Sequence, residues 1–101
     1  MGRFDVYATP GQGGTGYVLD IQADLMQDLT TRVVVPLLPT EAAPKPARGL
    51  NPTFDVNGQP HRMLTQFIAA VPAHRLREPL LSLEARSDDI MRALDLLLTG
   101  V

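Results

Sequence analysis

The chain has 101 residues, 45% of them hydrophobic and 20% charged. That is globular composition at a length that suits one domain, here expected over residues 1–101. Nine Lys+Arg against eleven Asp+Glu, a net charge of −2, argue against attachment to DNA, RNA or an anionic membrane by charge, and the lack of cysteine excludes disulfides, thiolate nucleophiles and Cys-based zinc sites.

The first half reads as β structure. Phe4 and Val6 alternate with Arg3 and Asp5, the period-2 pattern of a half-buried strand. Thr9 to Gly16 packs one Pro and four Gly into eight residues, so it is a flexible connection in a long hairpin. Tyr17-Val18-Leu19-Asp20-Ile21-Gln22 resumes the strand pattern. Ala23 to Thr30 has room only for a turn with one helical turn. Arg32 to Leu38 is apolar and β-branched, which suits a strand buried on both faces. Pro36 cannot donate a ladder bond, so it predicts an edge, a bulge or the strand's end.

Residues 39–52 hold Pro39, Pro44, Pro46, Gly49 and Pro52, and read as an excursion from the sheet with room for short extra strands. Thr53–Val56 and His61–Thr65 flank Asn57-Gly58, the pair favoured in type I′ hairpins because both positions need φ > 0. Pro60 is expected to lengthen that loop. Phe67 to Pro72 is a further strand.

From Glu84 to Leu98 there is no Gly or Pro, and a helix is predicted. Ile90, Met91, Leu94, Leu97, Leu98 and Val101 recur on one face. Asp88, Arg92, Asp95 and Thr99 form the opposite stripe, with Asp88 and Arg92 in the favourable i,i+4 order. Gly100 suits the left-handed closing residue. Ala93 and Leu96 widen the apolar face, which suggests a second surface to bury against, such as another subunit. No stretch approaches the ~18–20 apolar residues of a membrane span. Met1 to Asp5 shows no apolar signal region, so a cytoplasmic protein is expected.

No catalytic, metal or cofactor constellation emerges. His61 and His74 lie thirteen residues apart with no carboxylate at helical ligand spacing. Asp88-Asp89 are explained as acids at a helix N-terminus. Gly11 to Gly16 lacks the Lys-Ser/Thr of a phosphate loop. Arg75 and Arg77 are the only clustered cations. Arg32 reads either as a phosphate clamp in a ribonuclease or as a strand residue paired to an acid.

The ordered series goes further. Phe4-Asp5-Val6-Tyr7, then Leu19-Asp20-Ile21-Gln22-Ala23-Asp24-Leu25-Met26, then Arg32-Val33-Val34-Val35-Pro36-Leu37 resemble the first three strands of CcdB-type toxins. Arg62-Met63-Leu64-Thr65, Val71-Pro72 and Asp89-Ile90 with Gly100-Val101 resemble the rest of that family, over nearly the whole chain. The resemblance implies an SH3-like antiparallel sheet, a small wing sheet and one C-terminal helix. It implies a homodimer that makes and breaks no bond and needs no cofactor. It also implies a toxin that binds the A subunit of DNA gyrase and traps the enzyme with its DNA cleaved. A cognate CcdA-like antitoxin neutralises such toxins through a disordered segment that folds on binding. The loops at 9–16 and 39–50 are its candidate contacts.

The gyrase-facing residues implied are Leu25, Met26, Asp95, Leu98, Thr99, Gly100 and Val101. Leu25-Met26 stand for a pair of isoleucines, Asp95 for Asn, and Gly100-Val101 for Gly-Ile. Leu98-Thr99 stand where toxic members carry Phe-Trp, whose Trp stacks on a gyrase arginine. Thr99 has no π-face for that contact, and losing a central aromatic anchor commonly costs ~2 kcal/mol or more. Two further readings follow: a diverged member with weak, lost or retargeted poisoning, and a ribonuclease of the MazF type, which shares this fold and would use Thr31 and Arg32.

Overall fold

A computed structural model describes residues 2–8 and 16–100, so most of the predicted Gly-rich connection and Val101 lie outside the described residues. Among the described residues seven strands form one antiparallel sheet: β1 Asp5–Ala8, β2 Tyr17–Asp20, β3 Thr31–Pro39, β4 Thr53–Val56, β5 Gln59–Met63, β6 Ala69–Pro72 and β7 Leu81–Ser82. Their order is β4-β5-β3-β2-β1-β7, with β6 also paired to β3. This nearly closed, barrel-like sheet carries one C-terminal helix, α1 Ser87–Thr99. The expected class, mainly β with a terminal helix, is the observed one.

β3 organises the sheet. One edge pairs with β2; the other is shared, with β6 on residues 31–34 and β5 on residues 37–39. Pro36 sits between those two partners, opposite Val18, and its carbonyl accepts from the Leu64 N–H at 2.9 Å. A residue's N–H and C=O leave an antiparallel strand on the same side. The missing donor therefore faces the gap and no ladder bond to β2 is lost. Pro36 is neither an edge nor an end; the strand runs through it. Alternation places the two faces of β3 in different clusters, as expected of a strand buried on both sides. Val35 and Leu37 join Val6, Leu19, Phe54 and Ile90 beneath α1, whereas Val34 joins Tyr7, Val18 and Leu76 on the opposite face.

Several expectations are corrected at the element ends. Phe4 precedes β1 with φ of 73° instead of continuing it, yet its ring enters the same core as Val6. The β4–β5 hairpin closes on Asn57 (φ 53°) and Gly58 (φ 83°), as type I′ requires. Pro60 does not lengthen the loop: it pairs with Asp55, and its carbonyl takes the Thr40 N–H. The wing is this hairpin, hydrogen-bonded to the end of β3 as part of the main sheet. Residues 40–52 form turns and no strand. They are tied down by Asn51, which accepts from the Ala47 N–H and donates to Met63 O and Gln66 Oε1. β7 was invisible to periodicity because two residues carry none.

The helix also differs from its pattern. Glu84–Arg86 is a 3₁₀ turn, closed by the Arg86 N–H on Leu83 O, and α1 starts only at Ser87. The buried side is Ile90, Ala93 and Leu94, so Ala93 belongs to the core and not to a second face. Leu98 is 69% exposed and leaves the predicted stripe. Arg92 bonds Asp89, not Asp88; Asp89 also holds Arg86. Gly100 caps the helix at φ 77°, its N–H reaching Asp95 O and Leu96 O.

Candidate functional site

The segment joining β2 to β3 carries the most exposed apolar side chains. Leu25 is 87% exposed, and Met26 and Leu29 stand beside it in solvent. A short apolar turn in water holds a fixed shape only if its backbone is anchored. Here the anchor is Gln22. Its Nε2 donates to Met26 O at 2.8 Å, and its Oε1 accepts the Val33 N–H at 2.9 Å. The Gln22 N–H in turn bonds Asp20 Oδ1 at 3.0 Å. Asp20 is buried against Arg32, whose Nε and Nη2 both reach Oδ2, at 3.0 and 2.6 Å. Burial pushes the Asp20 carboxyl above its ordinary range, while Arg32 and the Gln22 N–H pull the other way. The 3₁₀ turn Asp24–Met26 closes on the Met26 N–H to Ala23 O bond.

The other half of the predicted surface is the end of α1. At 100° per residue, Met91, Asp95 and Leu98 share one flank beside the buried stripe. Arg3 lies on that flank, with Nη2 3.2 Å from Met91 Sδ. The backbone N–H of Arg3 donates to Asp24 Oδ1 at 2.8 Å, and its Nε to Ile21 O. One N-terminal residue thus bridges the helix flank and the Leu25–Met26 turn. Sequence reasoning missed both Arg3 and Gln22, since neither belongs to an apolar pattern.

Thr99 is exposed, and its hydroxyl bonds back to Asp95 O at 2.7 Å. Its hydrogen-bonding capacity is thus partly taken up by its own helix. Leu98 and Asp95 are exposed at the tip; Gly100 follows as the cap, and Val101 lies outside the described residues. The arrangement sets apolar side chains in water on a buried polar frame.

The family model for the CcdB protein matches residues 3–100. The chain belongs to the CcdB family. Membership of the CcdB family carries the general assignment to toxins of toxin–antitoxin pairs. Within that frame the remaining chemical candidates find structural explanations. Arg32 is fully buried and paired to Asp20, so it is the acid-paired strand residue and offers no clamp to a phosphate. His61 is buried, bonded to Gln59 O and stacked edge-on to Tyr17 at 5.1 Å. His74 is exposed on the 3₁₀ turn Ala73–Arg75. Among the described residues no group of three or more His, Asp or Glu is placed to hold a metal. No helix is long and apolar enough to cross a membrane among those residues. Tyr7 was overlooked: it is 1% exposed, and burial, then Asp5 and Asp20, push its phenol up to about 12.

Proposed function

We propose that this chain is the toxin of a type II toxin–antitoxin pair. It acts as a dimer in the cytoplasm, docks on the A subunit of DNA gyrase and stabilises the DNA-cleaved state of that enzyme. It performs no bond-breaking of its own; a ligand that prefers one state of its target shifts the population toward it. A cognate antitoxin neutralises it. The observation that carries this reading is the family match over residues 3–100. The exposed Leu25–Met26 turn and Leu98 support it, because they offer apolar contact at the positions the resemblance assigns to gyrase.

The test is a cleavage assay. Purified protein at micromolar concentration, with the gyrase of its own host and ATP, is expected to yield linearised plasmid after denaturation of the trapped complex. No linear plasmid under those conditions would falsify the gyrase assignment.

The second reading is a diverged member whose poisoning is weak, lost or retargeted. Thr99 favours it, since a hydroxyl bonded to Asp95 O replaces an aromatic anchor. This reading predicts intact binding to an antitoxin and no trapped gyrase.

A further inference from the structure

The chain has no cysteine, so its only sulfur chemistry is that of its four methionines. Met26, Met63 and Met91 lie among the described residues, and their thioethers stand in different surroundings. Met63 is 0% exposed, inside the core beneath α1. Met91 is half-buried against that core, and its Sδ takes the Arg3 Nη2 donor at 3.2 Å. A donor on sulfur occupies electron density that an electrophilic oxidant needs. Met26 is 48% exposed, and among the described residues nothing donates to its sulfur. Only its backbone is held, the N–H by Ala23 O at 2.9 Å and the carbonyl by Gln22 Nε2 at 2.8 Å. The turn is pinned while the thioether stays accessible.

We propose that Met26 is a reversible oxidation site, taken by hydrogen peroxide ahead of Met91 and Met63. A sulfur lone pair attacks one peroxide oxygen, and the S–O bond forms as the O–O bond breaks. Sulfur gives up two electrons and becomes a sulfoxide; the departing hydroxide takes the proton of the transferred oxygen and leaves as water. No thiol is present to intercept the oxidant. Met26 belongs to neither core cluster, so the fold persists in both states. The surface does not: a flexible apolar side chain becomes polar in the same short segment as the exposed Leu25 and Leu29. Burying that new acceptor in an interface without a donor is unfavourable. Its effect on docking rests on the reading of this turn as a gyrase contact; there the sulfoxide switches contact off and a sulfoxide reductase restores it.

The test is timed peroxide treatment of the folded chain, stopped with catalase and followed by trypsin and mass spectrometry. Cleavage after arginine leaves the three methionines on separate peptides, residues 4–32, 63–75 and 87–92. Met26 sulfoxide should form about tenfold faster than the other two, because susceptibility follows exposure. Prior unfolding in urea should bring the three rates together, and methionine sulfoxide reductases should reverse the Met26 product on the folded chain. Met91 or Met63 oxidised as fast as Met26, or a Met26 sulfoxide that resists the reductases, would overturn the site. The gyrase cleavage assay then compares the parent and Met26→Leu, each against its own untreated sample. Peroxide should raise the concentration of parent chain needed for trapping about tenfold and leave Met26→Leu unmoved. Trapping unchanged by Met26 sulfoxide, or an equal loss in Met26→Leu, would overturn the switching role. An untreated parent that traps no gyrase defeats the gyrase reading instead, and the order of oxidation still decides the site.

Discussion

Arg32 and Asp20 form an ion pair with both side chains fully buried, two guanidinium nitrogens converging on one carboxylate oxygen. Taking such a pair out of water is costly, and removing one partner leaves an uncompensated buried charge. Asp20→Asn should therefore cost about 3–5 kcal/mol of stability. Replacing both residues with apolar ones of similar size, Asp20→Leu with Arg32→Met, should recover much of that loss. Urea denaturation of the parent chain and the two variants decides the matter. A single substitution that costs no more than the double would show that the pair is not the source of the stability.

Tyr7 supplies a prediction about alkali. Its phenol is buried with no hydrogen-bond partner among the described residues and is pushed up to about 12 from an ordinary 10. The unfolded chain loses this proton first, near pH 10; the folded chain holds it until about pH 12. Folding thus keeps its full contribution below pH 10 and loses it progressively as pH rises toward 12, at up to about 1.4 kcal/mol per pH unit. Tyr7→Phe should lack that slope. At neutral pH it should be neutral or stabilising, since it removes a buried unpaired hydroxyl. Chemical denaturation of both proteins between pH 8 and 11.5 checks the sign.

Much of the fold was written locally. Asn57-Gly58 specifies its turn because few other residues accept φ > 0 twice in succession, and the apolar run 32–38 names a central strand. What failed was non-local. Pro36 is harmless only because β5 and β6 meet beside it, a gap that no spacing announces. Leu98 matches the helical stripe, yet it stands on a flank beside the buried Ile90, Ala93 and Leu94 and is left in solvent. At the candidate site the exposed residues came from family resemblance. Their supports, Gln22 and Arg3, act through backbone carbonyls and a thioether that sequence pattern does not display.

Gln22 links the buried frame to the exposed turn, and its two ends can be separated. Gln22→Ala loses both bonds and should cost about 1 kcal/mol, since the donor and acceptor it strands are only partly buried. Gln22→Glu keeps an acceptor for the Val33 N–H and replaces the donor facing Met26 O with an anion. Hydrogen exchange should then show Val33 still protected in Gln22→Glu but not in Gln22→Ala. Both variants should weaken gyrase trapping, because in both the Leu25–Met26 turn loses its tether. Trapping that follows Val33 protection instead would assign Gln22 a purely structural role.

The end of α1 gives the sharpest functional prediction. Leu98 is 69% exposed and Thr99 faces solvent, so neither contributes to the core. Substituting Leu98→Phe and Thr99→Trp together should leave unfolding free energy within about 0.5 kcal/mol, as surface changes usually do. The indole would restore a π-face for a partner arginine, and the Phe would enlarge the apolar patch beside Met91 and Asp95. A recovered anchor of ~2 kcal/mol corresponds to more than tenfold in affinity. The double variant should accordingly trap gyrase at more than tenfold lower concentration than the parent chain. Cleavage curves that superimpose would mean that the contact at this tip is made by other residues, and that Leu98-Thr99 does not explain any difference in potency from aromatic-tipped members of the family.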